Sequence, residues 1–386
     1  MQREQSIIGR SSDRAAKRKF IINEIRRLGQ LSRSALAEST GLSPATVSSI
    51  VSELLEEDLV VEDTASVSAG GRRPTPMRIN YTTRLAIGIK LKSDSIECLL
   101  TDMSTAPIDK LTKALPSLDP EAVCQICEEA IAQLMETQAR DTKNLIGVGV
   151  SIPAFVDAET GVCKTSHRFG WKDIHFAGML QNKLGIPVKI EDDSHAFALA
   201  HALFGVGINH ASFATVAVGE GISYEMILDG KLHRGNTGAA GKLGHMCHDP
   251  HGARCECGRY GCLQVKNSIS GMLSTLDLND PQWSFRTRLD RLLACLASGD
   301  EKALSTVRDA GYTVGKYLAD MTAVTDVDPV VIGGEVVELG EYFFDAFNKA
   351  LNKYSLHGPI RTYIDNEDNF WSRGAAALVT QEVFGF

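Results

Sequence analysis

Four side chains in one short stretch have the types and spacing to hold a metal ion. Between Gly241 and Gln264 the chain reads GKLGHMCHDPHGARCECGRYGCLQ, which sets His245, Cys255, Cys257 and Cys262 at H-x9-C-x-C-x4-C. Three thiolates and one imidazole are the ligand set of a closed, tetrahedral zinc site of the structural kind, one ion per chain. Gly258 and Gly261 stand between the last cysteines, where a chain folding back on a metal needs turns without a Cβ. Bunched cysteines in a chain with no export signal are metal ligands before they are disulfides. Cys247, His248 and His251 share the loop and rank behind, since Cys247 and His245 reach one ion only through a strained loop. Cys124 and Cys127 form an isolated C-x-x-C within the amphipathic run Val123, Ile126, Cys127, Ala130, Ile131, Leu134, and read as small apolar core residues.

The loop resembles the zinc signature of the ROK family (repressors, open reading frames, kinases), whose pattern is E-x-G-H, a loop, then C-x-C-G-x-x-G-C-x-E. The cysteines, the glycines and His245 match; Lys242 and Gln264 stand where the pattern has glutamates. The resemblance implies a two-lobed, actin-like ATPase fold for the body, in the same order along the chain. It also implies where chemistry would sit. In the family's sugar kinases, ATP phosphates lie against two glycine-rich turns, and an aspartate accepts the proton of the sugar hydroxyl. A triphosphate needs bare backbone N–H groups and nearby cations, and the base must face the attacking oxygen.

The phosphate turns depart from that pattern. In place of D-x-G-G-T the chain has Lys90-Leu91-Lys92-Ser93-Asp94, and in place of G-T-G-I-G-G-G it has Gly219-Glu220-Gly221-Ile222-Ser223-Tyr224-Glu225. Glu220 and Glu225 are expected to oppose bound phosphates, and Tyr224 to crowd their approach. Gly333-Gly334 keeps one adenosine-side turn. The sugar side is better kept. In EDDSHA (191–196) Asp193 falls at the base position, read equally as a helix cap, and Asp192 and His195 replace asparagines. The expected effector ligands are Asp192, Asp193, His195, Lys242, His245 and Gln264. A cation and an amide in place of two acceptors suggest a ligand other than a plain neutral hexose.

Elements that must position these groups follow from periodicity. Ala15–Leu28 carries an apolar helical face. Ser32 caps a short helix ended by Gly41, and Ser43-Pro44 opens a third whose buried stripe is Val47, Ile50, Val51 and Leu54. Two short helices about a glycine turn form a helix-turn-helix, and Leu59–Asn80 reads as a winged hairpin. The expected DNA contacts are Arg33, Ser43, Ala45, Thr46, Ser48, Ser49 and the wing arginines Arg72 and Arg73. Up to Asn80 there are twelve basic and ten acidic side chains, a net +2; the whole chain carries −8, so the rest carries −10. That sign change suits a DNA module on an acidic body.

From Leu85 onward strands and helices alternate, an α/β pattern. The expected division is 1–80 for the head, 81–200 for the first lobe, and 201–386 for the second lobe with the zinc loop at 241–264. With 44% hydrophobic residues in 386, the chain can bury sizeable cores. It has no apolar run of about 18 residues for a membrane span and no apolar leader core. A cytoplasmic location is expected. The combined reading is a non-enzymatic repressor of carbohydrate genes. It binds a double-stranded operator as a homodimer or homotetramer and responds to a sugar in a body that has lost its nucleotide turns. The alternatives are an ATP-dependent sugar kinase with a DNA-binding head, and a scaffold without a small ligand.

Overall fold

The computed structural model describes residues 14–63, 75–138, 142–356, 358–367 and 369–385. The head is built as its caps dictate. Helices α1 (Arg14–Leu28), α2 (Arg33–Thr40) and α3 (Pro44–Glu56) surround Ile21, Ile25, Leu36, Val47, Ile50 and Leu54, all fully buried. The Ser32 and Ser43 hydroxyls accept from the N–H groups of Ala35 and Thr46, and Gly41 ends α2 in the left-handed region. Strands β1 (Val60–Glu62) and β2 (Met77–Ile79) pair antiparallel as the base of the wing. Arg72 and Arg73 lie outside the described residues.

The body repeats one plan twice. In the first sheet β3 (Leu85–Leu91), β4 (Ser95–Asp102) and β5 (Pro107–Ala114) form an antiparallel meander. After α4 (Pro120–Thr137), β6 (Leu145–Ile152) joins parallel to β3, and β10 (Val188–Asp192) joins parallel to β6, giving the order β10-β6-β3-β4-β5. A small sheet of β7 (Phe155–Asp157), β8 (Val162–Ser166) and β9 (Trp171–Ile174) precedes α5 (Phe176–Leu184). Then come β10 (Val188–Asp192) and α6 (Asp193–Phe204). In the second sheet β11 (Phe213–Val218), β12 (Ile222–Leu228) and β13 (Lys231–Leu232) are again an antiparallel meander. The zinc loop, α7 (Gln264–Asn267), α8 (Ile269–Thr275), α9 (Phe285–Ala297) and α10 (Glu301–Thr325) intervene. Strand β14 (Val330–Gly333), α11 (Glu341–Tyr354) and β15 (Thr362–Ile364) complete the order β13-β12-β11-β14-β15, and α12 (Phe370–Phe384) follows. Both sheets thus run third-second-first-fourth-fifth in their own chain order, the duplication expected of an actin-like body.

Five strands had no local signature: β5, whose side chains alternate exposed and half-buried, β7, β8 and β9 of the small sheet, and β15. Helix α5 begins at Phe176 rather than earlier, because Ile174 ends β9 by pairing with Cys163. Cys124 and Cys127 are fully buried in the first core, as their periodicity requires.

Helix α12 follows the second lobe in sequence but packs across the first sheet. Two glycines make that contact. A Cβ on Gly88 of β3 would run into the carbonyl oxygen of Ser372, and one on Gly149 of β6 into that of Ala375. Backbone cannot retreat as a flexible side chain does, so Gly88→Val is expected to cost several kcal/mol, on the order of 3 or more. Urea unfolding would register it, and a midpoint within error of the parent would show that α12 is not seated there.

Candidate functional site

The loop at 241–264 brings its four predicted ligands together. One ligand atom from each of His245, Cys255, Cys257 and Cys262 lies within 4.8 Å of all the others. The Sγ atoms of Cys257 and Cys262 are 3.7 Å apart, and Cys255 Sγ is 3.6 Å from His245 Nδ1. A tetrahedron with Zn–S of about 2.3 Å and Zn–N of about 2.0 Å has edges of about 3.5–3.8 Å, so the spacing fits that ion. Burial lowers the His245 pKa, which favours the neutral imidazole a metal needs. The loop holds this shape by its own backbone: Cys247 and Cys262 pair as a β-bridge, as do Arg254 and Tyr260. Gly261 has φ +64°, and a Cβ there would strike the carbonyl oxygen of Asp249. Cys247, His248 and His251 are exposed and outside the cluster, as expected.

Beside the loop, the carboxyl ends of β3, β6 and β10 face the β11–β12 turn across a cleft of about 1000 Å³ including its mouth. Its size suits a small molecule, and its place at the strand ends suits an open α/β sheet. Asp192, Asp193, Lys242, His245 and Gln264 all line it. Lys90, at the end of β3, donates to Asp193 Oδ2, and its ammonium lies 4.8 Å from the Trp371 ring centroid. Burial alone would raise the Asp193 pKa. Lys90, with help from Lys242 and Arg168, outweighs it and holds the carboxyl below its usual range. A carboxylate so stabilised is a poor proton acceptor.

Lys242 does not point to solvent: it donates to Asp192 Oδ2 at 2.6 Å, near the Phe155 ring. Asp192 in turn caps α6, accepting from the N–H groups of Ser194 (3.0 Å) and His195 (3.4 Å). The helix cap considered for Asp193 therefore belongs to Asp192. Gln264 donates to Glu256 Oε1 at 3.0 Å, which ties the cleft wall to the zinc loop.

The structure corrects three expectations. His195 is not on the cleft wall. It is 1% exposed, with Nδ1 3.1 Å from Glu191 and Nε2 3.2 Å from Glu225. As the third residue of α6 it points its ring between Glu191 and Glu225, away from the cleft lining. Burial alone would strip its proton, but the two glutamates raise its pKa to about 10. Glu191, held below the carboxylate range despite burial by His195 and Arg234, supplies the firmer half of that support; burial pushes Glu225 up. Glu225 thus serves His195 rather than facing a phosphate. Tyr224 is fully buried in the second lobe's core, its hydroxyl 2.9 Å from Thr325 Oγ1, so it does not crowd the turn.

Groups that motif reading missed close the phosphate side instead. Arg168, from the β8–β9 connection, pairs with Glu220 on the β11–β12 turn and lies 3.4 Å from Glu256 in the zinc loop. The Glu335 carboxylate lies so close to Gly219 that a Cβ there would collide with it. Backbone N–H groups that would cradle phosphates are thus flanked by Glu220 and Glu335. Arg168 sits in no motif, and only the fold places it opposite Glu220.

On the head, Ala45, Ser48 and Ser49 are exposed along the outer face of α3, and Ser43 and Thr46 hydroxyls lie 2.9 Å apart at its cap. Arg33 reaches across to Glu62 of the wing strand at 2.9 Å. Arg14 was not anticipated: it donates to Ser49 Oγ at 2.9 Å and pairs with Glu53, which adds an exposed cation beside α3.

A winged helix-turn-helix on a duplicated two-lobed body, with a polar cleft and a Cys3His loop, defines a DNA-binding regulator built on a sugar-kinase-like fold. The comparisons agree. Residues 86–382 match the ROK family, and residues 17–61 match a winged helix-turn-helix DNA-binding family. The chain belongs to the ROK family. It is 30% identical over 320 residues to the xylose repressor of Bacillus spizizenii, across 83% of this chain and 82% of that one. A ROK family transcriptional regulator described as a homolog of the Escherichia coli MLC protein shares the fold over 96% of both chains, with a TM-score of 0.81 and 22% identity. A Streptomyces griseus ROK glucokinase, solved with glucose and AMPPNP, matches 77% of this chain and 99% of its own at a TM-score of 0.66 and 22% identity. The share left over is about the size of the winged head. No helix among the described residues is long and apolar enough to cross a membrane.

Proposed function

We propose that the chain is a sugar-responsive transcriptional repressor acting in the cytoplasm, and not an enzyme. The observation that carries this is the Lys90–Asp193 pair, which spends the position of the catalytic base on a lysine from the former phosphate turn. Binding capacity survives that loss: the cleft keeps Asp192, Lys242, His245 and Gln264 on its walls. Zinc held by His245, Cys255, Cys257 and Cys262 is structural and fixes the wall carrying His245 and Gln264. Operator contacts come from Ser43, Ala45, Thr46, Ser48 and Ser49 of α3, with Arg33 and the wing arginines Arg72 and Arg73 on the phosphates. The two-fold symmetry of such operators calls for a homodimer or an even-numbered higher oligomer.

The structure also refines the effector. Three pairs of opposite charges line the cleft, Lys90 with Asp193, Lys242 with Asp192 and Arg168 with Glu220. A neutral polyol whose hydroxyls insert among these pairs needs no free countercharge, and Lys242, paired with Asp192, no longer supports the expectation of a ligand other than a plain neutral hexose. The name of the xylose repressor relative points the same way.

A thermal-shift screen of zinc-loaded protein against D-xylose, D-glucose, N-acetylglucosamine, glucose 6-phosphate and ATP–Mg tests the reading. Ligand at 100 times its Kd stabilises by about 2.7 kcal/mol, so a neutral sugar is expected to raise Tm by several degrees while ATP–Mg leaves it unchanged. A shift with ATP–Mg, abolished with Lys92→Glu, would restore the kinase alternative.

A further inference from the structure

Two helices of the body begin in the cleft and end against the DNA-binding head. Trp371, near the start of α12, lines the cleft, and Phe384 at its end belongs to the head's core with Ile21, Ile22 and Ile25. Helix α6 starts at Asp193 in the cleft wall, and Leu203 in its last turn joins that same core. Twelve residues make α6 a rod of about 18 Å. Tyr81, on the link out of the head, packs edge-on against Phe204 with ring centroids 6.4 Å apart and lies 6.3 Å from Phe384.

Among the described residues, a buried polar contact made by Arg26 crosses this junction. Arg26 of α1 is 7% exposed and donates Nη1 to the carbonyl oxygen of Leu203. Asn23 accepts from its Nε at 2.8 Å, which aims the guanidinium, and the Phe384 ring lies 5.9 Å away. The last carbonyls of a helix have no partner within it and carry its negative end, so a cation there is favourable. Both ends of α6 are therefore clamped by side chains: Asp192, paired with Lys242, at the cleft, and Arg26, from the head, at the far end.

We propose that Arg26 is the positioning residue that couples the cleft to the DNA-binding head, with α6 as the rigid element between them. A ligand that exchanges the Lys242–Asp192 pair for its own hydroxyls shifts the cap of α6, and Arg26 passes the shift to α1. The coupling rests on the cleft being the effector site only for what moves α6 in the cell, so it is testable without any sugar.

The test is a double-mutant cycle in the full-length protein, on duplex DNA that the wild-type protein selects from a randomised pool. Groups about 18 Å apart with no shared partner ordinarily act independently. Asp192→Asn is expected to change the Kd for this DNA at least fivefold in the parent and less than twofold in the Arg26→Met background. Arg26→Met keeps apolar bulk at this buried site and withdraws the donor from the Leu203 carbonyl, at a stability cost that Arg26→Lys is expected to reduce. Arg26→Lys, which keeps a donor and the charge, is expected to restore part of the Asp192 effect; a mere packing role would make Met the better replacement. Equal fold-changes in both backgrounds, or no effect of Asp192→Asn on its own, would overturn the proposal. If Asp192→Asn does not fold, Lys242→Met takes its place, since it spares the cap and removes its partner. A D-xylose thermal shift on parent and Arg26→Met reports separately on the sugar reading, whose failure would appear as no shift in either protein.

Discussion

Cys255→Ser is expected to abolish stoichiometric zinc and to lower Tm by about 10 °C. Serine offers an oxygen too hard and too short to complete a site in which thiolate and imidazole atoms are already spaced 3.6–3.7 Å apart. Structural zinc contributes about 10–16 kcal/mol to folding in isolated finger peptides. The loss here is smaller, because β-bridges at Cys247–Cys262 and Arg254–Tyr260 hold part of the loop without metal. A cost of about 3–5 kcal/mol at 2–4 °C per kcal/mol gives the stated shift. The consequence extends into the cleft, since Gln264 and Glu256 join the loop to its wall. Metal analysis and calorimetry on the same preparation decide it. One zinc per chain with the parental melting curve would mean that Cys255 is not a ligand of that ion.

This part of the molecule was readable because ligand types at fixed spacing state their chemistry locally. The head was readable for a related reason: Ser32, Gly41 and Ser43-Pro44 mark helix ends through contacts within four residues. What sequence could not show depends on contacts between distant segments. Strand β15 is three residues long and is defined only by its pairing with β14. Arg168 meets Glu220 across 52 positions, and Lys90 meets Asp193 across 103, so neither pair has a local signature. The misplacements of Glu225 and Tyr224 share one cause. Glycine-turn matching assigns both to the phosphate side, whereas strand β12 directs Tyr224 into the second core and Glu225 beneath α6 to His195. Aligning a motif fixes residue positions along the chain but not the face on which a strand presents them.

That buried His195 yields a stability that is lost towards alkaline pH. The ring is enclosed by Glu191 on Nδ1 and Glu225 on Nε2, and its pKa is raised to about 10 from an ordinary value of 6.5. A group whose folded pKa is raised contributes fully below its unfolded pKa and loses that contribution as pH climbs through the folded one. The window here is about pH 6.5 to 10. Glu191 acts with the opposite sign: its pKa is held down by His195 and Arg234 against burial, so its share is present at neutral pH and lost in acid. The parent is therefore expected to be most stable between the two. His195→Gln removes the cation and leaves two buried glutamates facing an amide, at a cost on the order of a few kcal/mol at pH 6. By pH 10 the parent's imidazole has lost much of its charge, and the gap between parent and variant should shrink by about half or more. Urea unfolding of both proteins at pH 6, 8 and 10 measures that gap directly, with shared lysine titration cancelling in the difference. A gap that stays constant across the range would place the buried proton on Glu225 instead. Behind the cleft would then lie a neutral imidazole between one carboxylate and one carboxylic acid, and the acid limb of the stability curve would shift with Glu225→Gln rather than with His195→Gln.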